Sequence, residues 1–279
     1  MKPGAAAAKF NRGELIAPPP WQTIDFISDL HLQASEPETF SSWTNYLQTT
    51  QADALFILGD LFEVWVGDDV AASATSSADT FERQCATHLH RAAQRIAIYF
   101  MRGNRDFLMG EDFLHQCDAT LLQDPTTLCF AEQRWLLSHG DELCLADTDY
   151  QQFRKVVRSG AWQSDFLRKP LAERQTIARG LRMQSEARKK LGVKFVDVDT
   201  GLAIQWLHDA GATTLIHGHT HQPFDHDMGQ GLRRIVLSDW DASAMPPRAQ
   251  VLTLRSCGGV APQTSDQAVR YNIDIKLSI

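Results

Sequence analysis

Six short apolar runs, each breaking off into Asp, His, Asn or Gly, constrain this chain more than any other feature of its sequence. They are TIDFISDLHL (23–32), ALFILGD (54–60), RIAIYFMRGN (95–104), RWLLSHGD (134–141), TTLIHGHTH (213–221) and RRIVLSDW (233–240). Each body is leucine-rich, β-branched or aromatic and reads as a buried strand. Between some of them lie helical patterns. Phe40, Trp43 and Leu47 fall at i, i+3, i+7, and Phe81, Cys85, Leu89 and Ala92 keep one face. Strands alternating with helices predict an α/β domain, whose ligands collect outside the carboxyl ends of the strands. The polar residues of this chain stand there.

From about Tyr150 to Val196 the rhythm changes. The segment is helix-forming, and Phe153, Val156, Val157, Trp162, Phe166, Leu167, Leu171, Ile177 and Leu181 are spaced as in an amphipathic helical pair. It is also basic. Between Gln151 and Phe195 there are twelve Lys or Arg against three acids, a net +9 that leaves −16 on the rest of the chain. A basic island on an acidic body suits an anionic partner or a solvated helical face. The expected organisation is a loose N-terminal arm over 1–20, one α/β domain over 21–255 with a helical cap at about 150–196, and a tail over 256–279 without an assigned role. No run approaches the roughly 18 apolar residues of a spanning helix. Five unpatterned cysteines (Cys85, Cys117, Cys129, Cys144, Cys257) point to a reducing compartment, the cytoplasm.

Five of the strand ends read SDLH, GDLFE, GNRD, SHGD and GHTH. Asp29 and His31 lie two apart, so an extended chain turns them to one side, and His219 and His221 share that spacing. With Asp60, Asn104 and His139 they make seven oxygen and nitrogen donors. One Asp or Asn after a strand is ordinary turn chemistry, and His217 reads as a structural histidine. Seven such donors at five strand ends suit borderline divalent ions such as Mn²⁺, Fe²⁺ or Zn²⁺ rather than a closed thiolate site. Two ions about 3.5–4 Å apart, sharing one carboxylate, fit the count and leave room for water and phosphate oxygens.

The order D-x-H, G-D, G-N-[HR], G-H, G-H-x-H resembles the calcineurin-like metallophosphoesterase superfamily, a four-layer α/β/β/α sandwich. FISDLHL, GDLFEVWVGDD, MRGNRDFLMG, SHGDELC and IHGHTHQP are similar to its branch that cleaves UDP-linked, doubly acylated glucosamine in the lipid A pathway. The likeness covers about residues 22–245. It implies one metal on Asp29, His31, Asp60 and His221, and a second on Asp60, Asn104, His139 and His219, with Asp60 the bridge and Mn²⁺ the ion. It also implies water attack on the α-phosphate, giving UMP and 2,3-diacylglucosamine 1-phosphate. The cap would take the acyl chains, and the protein would sit peripherally on the cytoplasmic face of the inner membrane. No nucleic-acid or obligate protein partner is expected. Substrate contacts implied by the motifs are Asn104, Arg105, Asp147, His219 and, on the cap, Arg182 and Ser185. Beyond Ser185 the chain reads ARKKLG and departs from the family pattern; Lys190 stands nearest the expected lysine.

Arg105 bears on the leaving group. Many relatives carry His after the Asn, able to protonate an alkoxide. Arg, with a pKa above about 12, gives up no proton at neutral pH. A phosphate monoester, with a second pKa of roughly 6, departs without one. Arg105 then acts as a charge clamp on phosphate oxygens, which favours a phosphoanhydride over a phosphodiester. A structural pairing of Arg105 with Asp106, and another nucleotide or phosphodiester substrate, remain open alternatives at this point.

Overall fold

A computed structural model describes residues 12–72, 80–190, 196–256 and 268–273, with backbone alone for 72 and 184–190. Two six-stranded sheets form its centre. One has the order β1 (Gly13–Ile16), β6 (Thr126–Phe130), β7 (Gln133–Ser138), β8 (Thr214–His217), β10 (Leu232–Val236) and β9 (Asp225–Gly229). The other runs β12 (Ala268–Asn272), β11 (Gln250–Arg255), β2 (Thr23–Ile27), β3 (Ala54–Leu58), β4 (Ala97–Met101) and β5 (Ala119–Leu122). The helices are α1 (Pro37–Thr49), α2 (Asp69–Ala72), α3 (Phe81–Ala93), α4 (Glu111–Gln116), α5 (Thr148–Val157), α6 (Gly160–Leu167), α7 (Leu171–Lys190) and α8 (Thr200–Ala210).

Strand alternation explains the layering. In β3 all five residues are buried. Ala54, Phe56 and Leu58 face the other sheet and meet Leu128, Trp135, Leu137 and Ile216. Leu55 and Ile57 face outward into Trp43, Tyr46 and Leu89 of α1 and α3. On the far side, Leu136 and Leu215 pack on Ala203, Trp206 and Leu207 of α8. The result is helix, sheet, sheet, helix, as expected from the motifs. Each large apolar side chain so buried contributes about 1.5–3 kcal/mol.

β2, β3 and β4 are mutually parallel, as are β7, β8 and β10. Their carboxyl ends therefore open on the same edge of the sandwich, where the six sequence runs place their polar residues.

Two expectations need correction, and the tail gains a described strand. The arm does not reach residue 20 as a loose segment: Gly13–Ile16 form β1, parallel to β6, because GELI offers alternate residues to a sheet edge. The tail likewise supplies β12, antiparallel to β11. Its Tyr271 hydroxyl donates to Asp25 at 3.2 Å, a buried carboxylate that also accepts from Tyr46, Thr50 and Thr253. The cap is three helices rather than a pair, since Ser159 caps α6 and breaks the run after α5. Cys85, Cys117, Cys129 and Cys144 are free; Cys257 lies outside the described residues.

Candidate metal centre

The sandwich edge brings the seven donors of five strand ends together. Asp29 and His31 follow β2, Asp60 follows β3, Asn104 follows β4, His139 follows β7, and His219 and His221 follow β8. Five of them adopt positive φ: Asp29 (54°), His31 (48°), Asp60 (54°), His219 (65°) and His221 (52°). Non-glycine residues there are uncommon, and surrounding structure must hold them. The glycines beside the donors allow the close approach. A Cβ on Gly103 would collide with Asp60 Oδ1, and one on Gly218 with Asp29 Oδ2.

The donors fall into two groups. In the first, His31 Nε2 and His221 Nε2 stand 3.2 Å apart, and His221 Nε2 is 3.2 Å from Asp29 Oδ1. The outer nitrogens face carboxylates: His31 Nδ1 lies 3.0 Å from Glu63 Oε2, and His221 Nδ1 3.9 Å from Asp239 Oδ2. Protons on those outer nitrogens turn two imidazole lone pairs and a carboxylate oxygen toward one point. In the second group, His139 Nε2 and His219 Nδ1 converge on Asn104 Oδ1 at 2.9 and 2.8 Å. His139 Nδ1 faces the Leu58 carbonyl at 2.9 Å, so its Nε2 also presents a lone pair. Asp60 Oδ1 lies 3.7 Å from His139 Nε2 and accepts from the Arg105 N–H at 2.8 Å.

Acceptors crowded onto acceptors fit a cation, and the electrostatics agree. Asp29, Asp60 and His139 are buried and offer atoms within 4.8 Å of one another, as do Asp29, His31 and His221. Burial opposes ionisation of Asp29, yet His221, His139 and His31 hold its carboxyl below the ordinary range. Burial also opposes charge on His139, but Asp60, Asp29 and Asp141 lift it to about 9. Burial takes His31 and His219 down to about 4, against the pull of the same carboxylates. The site thus favours positive charge while keeping two imidazoles as neutral donors. These residues suit a pair of divalent ions with O/N ligands.

Around the donors lies a supporting shell that the sequence reading left aside. Ser28 Oγ and the His219 N–H donate to Asp29 Oδ2 at 2.6 and 2.9 Å, leaving Oδ1 for the centre. Asp106, fully buried, accepts from backbone N–H groups of Gly103, Asp60 and Leu61. The alternative pairing of Arg105 with Asp106 is not what the chain adopts: Arg105 Nη1 lies 3.7 Å from Glu63 Oε1. Glu63, Asp106 and Asp239 all stand inside the quoted strand-end motifs, so their position was the available signal. His217 fits its structural reading. It is fully buried beside the Gly218 carbonyl at 2.8 Å, and burial takes its pKa down to about 3.

The cap residues divide. Arg182 reaches the site and contacts Glu63. It lines one cleft of about 210 Å³ with His31, Glu63, Arg105 and His221, and beyond them Gln33 and Arg248. Asp147 caps α5, accepting from the Tyr150 N–H at 3.1 Å, and its side chain is exposed. Ser185 and Lys190 carry side chains outside the described residues. Part of the basic island is spent on holding the cap. Arg154 Nε donates to Asp141 Oδ2 at 2.8 Å, Arg158 donates to the Gly103 carbonyl at 2.9 Å, and Arg174 grips Asp69 and the Val66 carbonyl.

Comparison with known proteins places this geometry in a family. Residues 22–223 match the calcineurin-like phosphoesterases. A UDP-2,3-diacylglucosamine hydrolase of Chromohalobacter salexigens is 41% identical over 225 residues, covering 78% of this chain and 89% of its own. Those of Aromatoleum aromaticum (42% over 228 residues, 78% and 89%) and Hahella chejuensis (41% over 243 residues, 83% and 97%) are as similar. With its donors gathered at the strand ends and its relatives of matching length, the chain belongs to the calcineurin-like phosphoesterases, as a metal-dependent hydrolase grouped with the UDP-2,3-diacylglucosamine hydrolases.

Proposed function

We propose that the protein hydrolyses the pyrophosphate bond of UDP-2,3-diacylglucosamine, releasing UMP and 2,3-diacylglucosamine 1-phosphate in lipid A biosynthesis. The observation that carries this reading is Arg105. Its guanidinium lines the cleft beside His31 and His221, and its buried Nε has no hydrogen-bond partner among the described residues. A fixed cation with a waiting donor suits phosphate oxygens. Asp29, His31 and His221 would hold one Mn²⁺, Asn104, His139 and His219 the other, and Asp60 would bridge them. When bound, the ions supply Lewis acidity and a water of lowered pKa.

The chain's own residues do the rest. Arg105 binds and orients the phosphates, and its permanent charge balances what develops on them during displacement. No side chain need protonate the departing sugar phosphate. Asn104 and His219 would also contact the α-phosphate. Arg182 would meet the second phosphate from the cap, and Asp147, Ser185 and Lys190 are the sugar-side contacts that the family pattern implies.

The cap's outer surface supports peripheral membrane attachment. Phe153, Val156, Leu167, Leu181 and Met183 are exposed on its basic helices. Apolar side chains among cations suit peripheral docking on an anionic cytoplasmic leaflet. No helix of the described residues is long and apolar enough to cross a membrane.

The test is turnover of UDP-2,3-diacylglucosamine in ¹⁸O-water, with Mn²⁺ and with chelator. The expected result is Mn²⁺-dependent release of UMP carrying the solvent oxygen. Label only on the lipid phosphate would move the site of attack, and equal turnover of UDP-glucosamine without acyl chains would replace the lipid reading.

A further inference from the structure

Glu63 is a carboxylate that the metal reading does not use, 5% exposed, at the crossing of both functional systems. Its Oε2 lies 3.0 Å from His31 Nδ1, at ion-pair distance though not in hydrogen-bond geometry. Its Oε1 lies 3.7 Å from Arg105 Nη1 and touches Arg182 from the cap. Burying a carboxylate is costly unless partners compensate it. Here the compensation comes from one metal-donor imidazole and two arginines that face the same cleft.

The backbone makes that position rigid. The Glu63 N–H donates to the Leu32 carbonyl at 3.2 Å, and a bridge pairs Leu32 with Phe62. The loop after β2, which carries His31, and the loop after β3, which carries Glu63, are therefore fastened side by side. The Trp65 N–H donates to the Arg105 carbonyl at 3.1 Å, which fastens the loop after β4 to the same segment. Glu63 thus sits on a frame common to His31 and Arg105.

We infer that Glu63 is a positioning residue of this site: its carboxylate orients His31 as a metal donor and holds Arg105 and Arg182 over the place where phosphate binds. Toward His31 its negative charge favours the proton on Nδ1 and the lone pair on Nε2, the role outer carboxylates play for metal-bound imidazoles. Toward the arginines it supplies the negative charge that gathers two like-charged guanidiniums into one cleft before an anion arrives. In this role it need touch neither the reacting phosphate nor the water. The inference rests on the metal-and-phosphate reading of the site, not on the identity of the nucleotide or lipid.

The experiment uses the full chain and two variants, Glu63→Gln and Glu63→Asp, with folding checked by thermal unfolding. The first readout is calorimetric titration of the metal-free protein with Mn²⁺ alone. Glu63→Gln should weaken one binding step by about 10- to 100-fold and leave the other as in the wild type. Glu63→Asp, which keeps the charge, should weaken it less. The second readout is a double-mutant cycle at saturating Mn²⁺. Arg105→Ala should cost much less in the Glu63→Gln background than in the wild type, with the loss in kcat rather than KM. An unchanged metal isotherm together with additive kinetic losses overturns the inference, as does equal weakening by both variants, which would make bulk the cause. A substrate other than the proposed one would leave the metal titration as expected, so the two readings fail separately.

Discussion

The carboxylate of Asp106 holds the backbone of Asp60. Oδ1 accepts from the N–H of Asp60 at 3.3 Å and of Gly103 at 2.7 Å, and Oδ2 accepts from the N–H of Leu61 at 2.7 Å. One buried side chain thus joins the loops after β3 and β4, which carry Asp60 and Asn104. Asp106→Ala should leave those donors unpaired, at a cost of about 1–3 kcal/mol for each. Urea denaturation of the metal-free protein should show a lower midpoint, and metal titration should show both steps weakened.

Asp60→Ala should remove the carboxylate proposed to bridge the two ions. The expected protein is folded, holds less than one metal per chain by elemental analysis, and has no measurable turnover. A variant replete in both metals would remove the bridging role from Asp60.

Arg105→Ala should lower kcat by about 10²- to 10³-fold, the usual cost of a lost transition-state donor. Both metals should stay bound, because the Asp60 contact of residue 105 is made by its backbone N–H. The check is steady-state kinetics beside metal analysis of the same preparation.

The cap rests on one fully buried carboxylate. Asp141 Oδ2 accepts from the Tyr150 hydroxyl at 2.6 Å and Arg154 Nε at 2.8 Å, with Arg158 Nη2 at 3.5 Å. Asp141→Asn should take the charge partner from Arg158 and leave Arg154 with Glu142 alone. Hydrogen exchange should then quicken over α5 and α6, while the sheets keep wild-type protection.

Below neutral pH the metal-free protein should lose stability through His217. Burial keeps its folded pKa at about 3, while the unfolded imidazole takes a proton near 6.5. Its contribution is complete above about 6.5 and is lost as pH falls toward 3, because the unfolded chain then binds the extra proton. In urea titrations with chelator at about pH 7 and pH 5, the midpoint of His217→Asn should fall less than that of the wild type.

The strand ends were readable because each donor is announced by an apolar run before it. Period and polarity change within three residues at Asp60, Asn104 and His139, and parallel strands must deliver those changes to one edge. The edge strands carry no such announcement. β9 reads DHDMG and β12 reads AVRYN, polar and half-exposed, held in register by β10 and β11 rather than by their own composition. Arg174 shows a different limit. In sequence it belongs to a basic helix face, yet it is 3% exposed and grips Asp69. Only the folded cap tells a clamping cation from a solvated one. Glu63 was hidden for a third reason: its partners, His31 and Arg182, lie 32 and 119 positions away in the chain.

Five donors of the centre sit in left-handed backbone, each locked by its own loop. Grafting the seven side chains onto regular strands of another scaffold would therefore reproduce the chemistry on paper and miss it in space. What has to be carried across is a set of corners, together with Gly59, Gly103 and Gly218 that let them close and Asp106 that pins two of them. For an engineer, the smallest transferable unit is the whole rim of the sandwich.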